Sequence, residues 1–304
     1  MDSAVEAAIR SEVIRWVQAK AEANGGFVHR EDLLRYTVDG RPMPIIDFSR
    51  GIRNPAQLSS TLAIVSSVDG PYDDIESEQD GLLHYAYRKG DPFGGDNAKL
   101  RNAIETGMPL ILFRKEVPNY YTPVAPVYVV DEYPEERVFV IALDEAFRYM
   151  RDLKHLSVDQ RAYGLHLARQ RLHQPAFRTR VLLAYETRCA MCRLAHGSLL
   201  DAAHIVPDGE DLGRPTTTNG LALCKIHHAA YDQNMLGVSP DYVVHLDAQM
   251  LDEVDGPMLR HGLQAMHGQK ITLPRRPADA PSRDLLAWRW EKFAASTARP
   301  STSA

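Results

Sequence analysis

Apolar residues at Val5, Ile9, Val13, Trp16 and Val17 recur at helical spacing and predict an amphipathic helix over 4–23, stopped by Asn24-Gly25-Gly26. From Ala63 to Leu143 the texture changes to short runs of β-branched, aliphatic and aromatic residues. Leu82–Tyr87, Leu110–Phe113, Pro126–Val130 and Val138–Ile141 predict strands, and Asn97–Thr106 between them a helix. The turn residues separating these runs suit a compact, largely antiparallel, barrel-like module. Ser157-x-x-Gln160 spells a capping box, opening a helix toward His173 that Pro175 is expected to break. Phe177–Tyr185 predicts a second helix. The apolar run Leu199–Val206 then predicts a strand ending at Pro207, and 208–218 a polar loop holding Gly209, Gly213 and Pro215. A second strand follows at Leu221–Cys224 and a helix at Ile226–Gln233, halted near Asn234 and Gly237. The fold class is α+β.

At 304 residues, with 44% hydrophobic and 25% charged residues, the chain can hold two or three domains, each with its own core. No apolar run approaches membrane-spanning length and no signal-peptide pattern opens the chain, so a cytoplasmic protein with no membrane partner is expected. The net charge of −5 does not advertise a nucleic-acid binder. Local charge says more, because eight basic residues stand against three acidic ones between Arg151 and Arg188. Such a run is either a solvated helix face or a phosphate-contacting one, with Arg169, Arg171, Arg178 and Arg180 as candidate DNA-backbone contacts.

All three cysteines fall between Cys189 and Cys224, as Cys189-x-x-Cys192 and Cys224-x-x-His227. Two such pairs can close a tetrahedron of sulfur and nitrogen around a structural zinc ion, which requires reduced thiolates. The alternatives are buried free thiols or a Cys189–Cys192 redox pair. His227 and His228 are neighbours; spacing assigns His227 to the zinc and leaves His228 for another task. On the predicted helix His228 and Asp232 share a face and can converge on one cation.

This segment resembles the HNH nuclease family, whose fold is a two-stranded hairpin and a helix around one divalent metal. The resemblance makes His204 the general base, Asn219 the residue that orients it through the loop backbone, and His228 a metal ligand, with Asp232 a further one. Cys189, Cys192, Cys224 and His227 match the zinc knuckle found in a subset of the family. Ala203 stands where many members carry a ligand. Asp201, two residues earlier on the same strand face, is the candidate substitute. The chemistry is coherent: a divalent ion (Mg²⁺, Mn²⁺ or another) offsets charge on the phosphate, while an imidazole of ordinary pKa about 6.5 can take a proton from water.

Gly70-Pro71-Tyr72-Asp73-Asp74, Asp80-Gly81, Tyr85-Ala86-Tyr87 and Asp96-Asn97-x-x-Leu100 are similar to the SRA domain, which flips modified cytosine out of DNA. That likeness implies a modified-base pocket with Tyr72, Tyr85 or Tyr87 stacking and Asp73 or Asp74 accepting a hydrogen bond; otherwise these residues are a turn and strand packing. Ile271–Pro274 and Leu285–Phe293 look like the nuclease family's closing strand and helix. The expected order is a helical segment (1–62), an SRA/PUA-like β-barrel-type reader domain (63–150), a basic helical linker (151–186), a ββα-metal HNH domain (187–294) and a disordered tail (295–304). The whole resembles SRA–HNH modification-dependent restriction endonucleases acting on double-stranded DNA. Cutting both strands with one metal site per chain requires a homodimer or two binding events. The alternatives are a conventional sequence-specific HNH endonuclease, a phosphorothioate-dependent one, or a catalytically silent zinc module that binds DNA.

Overall fold

Helix α1 (Ser3–Asn24) begins where the Asp2 carboxylate accepts a hydrogen bond from the Ala4 amide, and ends at Gly25, whose φ of 91° disfavours any side chain. Its buried face is Glu6, Arg10, Val13, Ile14, Val17 and Ala21, so the stripe is rotated from the one expected and Val5 is half exposed. The cause is Arg10. Its guanidinium lies wholly inside and donates to Glu6 Oε1 and to the carbonyls of Ser60, Thr61 and Pro109. Burying this pair is tolerable because all three nitrogens are satisfied away from water.

The computed structural model describes residues 2–67, 75–76, 81–150, 153 and 155–297, in two units, Met1–Ala176 and Phe177–Ala304. Apart from a short hairpin of Thr37–Val38 with Arg41–Pro42, the strands of the first unit are β1 (Val28–His29), β2 (Ile52–Arg53), β3 (Ala63–Ser67), β4 (Ile75–Glu76), β5 (Leu83–Ala86), β6 (Leu110–Val117), β7 (Tyr120–Tyr133) and β8 (Val138–Ala142). They form one sheet in the order β2-β3-β6-β7-β8-β5-β4, with β1 added on β7. Every pairing is antiparallel except β3 with β6, where Ala63–Ser67 runs alongside Ile111–Lys115. Helix α2 (Gly95–Thr106) follows β5 and returns the chain for that parallel pairing. All five residues of β8 are buried, consistent with its unbroken apolar run.

The residues around α1 and those of the sheet share one core: Val13, Val17, Leu33 and Ile45 pack with Ile111, Phe113 and Tyr121. A second core joins Leu83, Leu100, Val127 and Phe139 to Leu167, Ala168 and Leu172. Those last residues belong to α3 (Val158–Ala168), opened by the expected Ser157–Gln160 capping box, and to the turn after it. Gly81 lets the chain approach α3 closely, since a Cβ there would lie 2.3 Å from the Gly164 backbone.

Pro175 does not break the helix. Arg169–His173 forms a π turn in which the Gln174 amide reaches Arg169 O, and α4 (Gln174–Ala184) continues with Pro175 at its second residue. Widening the turn before the proline accommodates its missing N–H and its ring. The stretch expected as a linker therefore divides, α3 with the first unit and Phe177 onward with the second.

In the second unit, β9 (Leu200–His204) pairs antiparallel with β10 (Gly220–Cys224), and α5 (Lys225–Asp232) follows directly. A small hairpin, Leu236–Val238 with Val244–Leu246, and helix α6 (Arg283–Thr297) complete the frame. The strand expected at Ile271–Pro274 is absent. The Ile271 amide donates to Tyr242 O and the Thr272 amide to Ala190 O, single links to different partners that do not build a ladder. The last helix runs on through Thr297, three residues into the stretch expected as tail, and 298–304 lie outside the described residues.

Candidate active site and metal centre

The turn after α4 carries Cys189 and Cys192, β10 ends in Cys224, and the first turn of α5 carries His227. One ligand atom from each of the four lies within 4.8 Å of the others. Cys189 Sγ and Cys224 Sγ stand 3.4 and 3.2 Å from His227 Nδ1, and Cys192 Sγ stands 4.0 Å from Cys224 Sγ. Tetrahedral zinc, with bonds of about 2.3 Å to sulfur and about 2.0 Å to nitrogen, would set such edges near ~3.8 and ~3.6 Å. His227 Nε2 lies 2.7 Å from Gly262 O. A carbonyl only accepts, so Nε2 carries the hydrogen and Nδ1 turns its lone pair to the sulfurs. The Cys189 thiol is drawn down, first by its bond with Cys224 and then, against burial, by His227. Cys224 is pushed up by that same bond and Cys192 by burial. Sulfurs this close share protons, and a divalent cation is what would hold all three as thiolates. The donor set fits zinc.

The knuckle brackets the hairpin. Strand register places His204 opposite Gly220 and Asp201 opposite Leu223. Asn219 is fully buried: Oδ1 accepts from the Val206 amide at 2.9 Å, and Nδ2 donates to Val206 O and Arg214 O at 3.0 Å each. With the Ile205 amide donating to Asn219 O, the chain just beyond His204 is tied on both backbone groups of Val206. The half-buried His204 ring stacks on Phe177, centroids 4.0 Å apart and planes 16° apart. Phe177 opens the second unit on α4, which lies against the hairpin because residue 220 is glycine. A Cβ there would meet Val181 Cγ2 at 2.4 Å and Phe177 Cζ at 3.0 Å. The sequence offered no sign of Phe177 beyond an aromatic at a helix start.

His228 lies between two carboxylates, Nδ1 3.4 Å from Asp201 Oδ2 and Nε2 3.2 Å from Asp232 Oδ2. Asp201 also accepts from Arg178 Nη1 through Oδ1 and from Lys225 Nζ at 2.6 Å through Oδ2. Burial raises its carboxyl pKa, but His228, Lys225 and Arg178 together outweigh burial and hold it well below the carboxylate range. An imidazole nitrogen and a carboxylate oxygen 3.2 Å apart suit two neighbouring ligands of one divalent ion, whose bonds of about 2.1 Å at right angles put ligands ~3.0 Å apart. Asp232 and His228 fit that ion; Asp201 is already occupied by two cationic side chains.

Residues 189–239 match the family model described as HNH endonuclease. This segment is an HNH endonuclease domain. The chain is also similar, distantly, to solved structures. A modification-dependent TagI restriction endonuclease shares 18% identity at a TM-score of 0.29, over 81% of this chain and 86% of that one. The SUVH5 SRA domain in complex with methylated CHH DNA shares 18% at 0.26, over 39% and 83%. The type IV phosphorothioation-dependent restriction endonuclease ScoMcrA shares 14% at 0.23, over 83% and 53%. No curated protein matches the chain. At such distances the functional reading rests on the side chains of the HNH domain.

Outside the HNH domain, Tyr72, Asp73 and Asp74 lie outside the described residues. Tyr85 is buried, its hydroxyl donating to Gly51 O or Val65 O, and it borders a small cleft with Gly51, Ile52, Ala86 and Arg88. Tyr87 is buried too, tilted against Phe139 with its hydroxyl on Glu132. It is packed into the core by the apolar and polar partners the fold supplies, and the cleft beside Tyr85 is not lined by it. The four arginines divide between the units. Arg169 is exposed; Arg171 donates to Pro126 O, and burial lowers its pKa. In the HNH unit Arg180 donates to Pro215 O and Arg178 is engaged by Asp201 and Leu200 O. Among the described residues no helix is long and apolar enough to cross a membrane.

Proposed function

We propose that this protein is a modification-dependent DNA restriction endonuclease that hydrolyses phosphodiesters with a histidine base and one divalent ion. The observation that carries the reading is His204, stacked on Phe177 and fixed by the Asn219 clamp, within a hairpin whose helix presents His228 and Asp232. In this mechanism His204 takes a proton from the attacking water. Asn219 limits motion of the strand end, and the Phe177 face sets the ring plane, so little orientational freedom is lost on reaching the transition state. His228 and Asp232 would hold Mg²⁺ or Mn²⁺, which supplies charge neutralisation at the phosphate and leaving oxygen. Cys189, Cys192, Cys224 and His227 would hold a structural zinc ion, which would keep the hairpin and helix together.

Plasmid nicking in Mn²⁺ tests the chemistry. His204→Ala is expected to slow nicking by about 10²–10⁴-fold, the usual contribution of a general base; equal rates would defeat the assignment. Selection of a modified cytosine is supported by the sequence pattern around Tyr85. Duplexes carrying 5-methylcytosine, 5-hydroxymethylcytosine, phosphorothioate or no modification should be cut at different rates, fastest with a modified cytosine. Indifference would leave a conventional HNH endonuclease. A phosphorothioate preference would move recognition from base to backbone. A homodimer that cuts both strands would make linear product rise more steeply with protein concentration than nicked circle does; two successive binding events would not.

A further inference from the structure

Both oxygens of Asp201 are taken. Oδ1 accepts from Arg178, whose other terminal nitrogen donates to Leu200 O and is thereby fixed to the start of β9. Oδ2 receives the Lys225 ammonium at 2.6 Å and faces His228 Nδ1 at 3.4 Å. The side chain is 18% exposed, against 59% for Asp232 on the other side of the ring. An imidazole can offer one ion only one nitrogen, and here the two nitrogens face different carboxylates. A divalent ion on the Nδ1 side would meet a carboxylate already neutralised, with an ammonium and a guanidinium beside it. On the Nε2 side it meets an exposed carboxylate with no basic partner except His228 among the described residues. An ionised carboxylate only accepts, so each one calls for a hydrogen on the ring nitrogen it faces; an ion held by Asp232 would displace the hydrogen on Nε2, and Asp201 would then keep the one on Nδ1.

We propose that Asp201 is a positioning residue and not a metal ligand: clamped by Arg178 and Lys225, it orients His228 so that Nε2 and Asp232 receive the divalent ion. The inference rests on the proposed role of His228 and Asp232. The test uses the full-length, zinc-loaded protein. At alkaline pH with saturating Mg²⁺, ¹⁵N shifts of His228 should report the Nδ1–H tautomer in wild type and in D201N, whose amide oxygen still accepts, and a mixture in D201L. Mn²⁺ binding should be preserved within about threefold in D201N, and weakened about 10–100-fold in D201L, as for loss of an outer-shell partner. D201N losing Mn²⁺ as completely as H228A would make Asp201 a ligand and overturn the proposal, as would a wild-type Nε2–H tautomer. D201L behaving as wild type in both readouts would also overturn it; D201N and the wild-type tautomer decide the matter should D201L fail to fold. If wild type shows the Nδ1–H tautomer but binds no Mn²⁺, the orienting role stands and the proposed metal site falls.

Discussion

Arg10 is the residue whose environment departs furthest from its chemistry, a guanidinium with no exposed surface inside an N-terminal helix. Glu6 alone would not keep it there; the carbonyls of Ser60, Thr61 and Pro109, far along the chain, complete its hydrogen bonds. Burial raises the Glu6 carboxyl pKa, but the Ser59 amide and Arg10 outweigh burial and leave it below its ordinary value. A depressed carboxyl stabilises the fold above the ordinary carboxylate range, and that contribution fades as pH falls through the folded value. Removing one partner strands the other, so Arg10→Ala should cost about 3–5 kcal/mol in urea unfolding. The double replacement Glu6→Leu with Arg10→Met should cost far less. Comparable losses in both variants would show that packing, not the stranded charge, sets the cost. Nothing in the local pattern revealed this pair, because its partners are brought close only by the sheet.

At the scale of elements, signals confined to a few residues were legible. The Ser157–Gln160 capping box, the Gly25 helix stop and the hairpin-then-helix order all follow from short-range chemistry. Pro175 was not, because a π turn ahead of it, with the Gln174 amide bonded to Arg169 O, carries the helix past the proline. The Cys₃His cluster belongs to this scale as well, joining the turn after α4, the end of β10 and the start of α5. Purified protein is expected to carry one zinc per chain by elemental analysis. Stripping it with a strong chelator should lower the melting temperature of the second unit and abolish nicking even with Mn²⁺ restored. Unchanged melting after removal would mean that the hairpin and helix hold together without the ion.

For the molecule as a whole, the division into two compact units predicts separable tasks. A fragment beginning just before Gln174 keeps all of α4, including Phe177 and Arg178, with the complete HNH domain. It should retain zinc and nick DNA without regard to modification, whereas the full chain should discriminate. A fragment that still required modified DNA would place selection inside the HNH domain. The sequence by itself determined the spacing of the three cysteines and His227, the places of His204 and Asn219 at the ends of the two strands, and the hairpin order, because each depends on residues close in the chain. Only the tertiary structure decided that Phe177 backs His204, that Arg178 and Lys225 neutralise Asp201, and that Tyr87 is core. Those outcomes turn on which distant groups share a low-dielectric space, and packing alone chooses them.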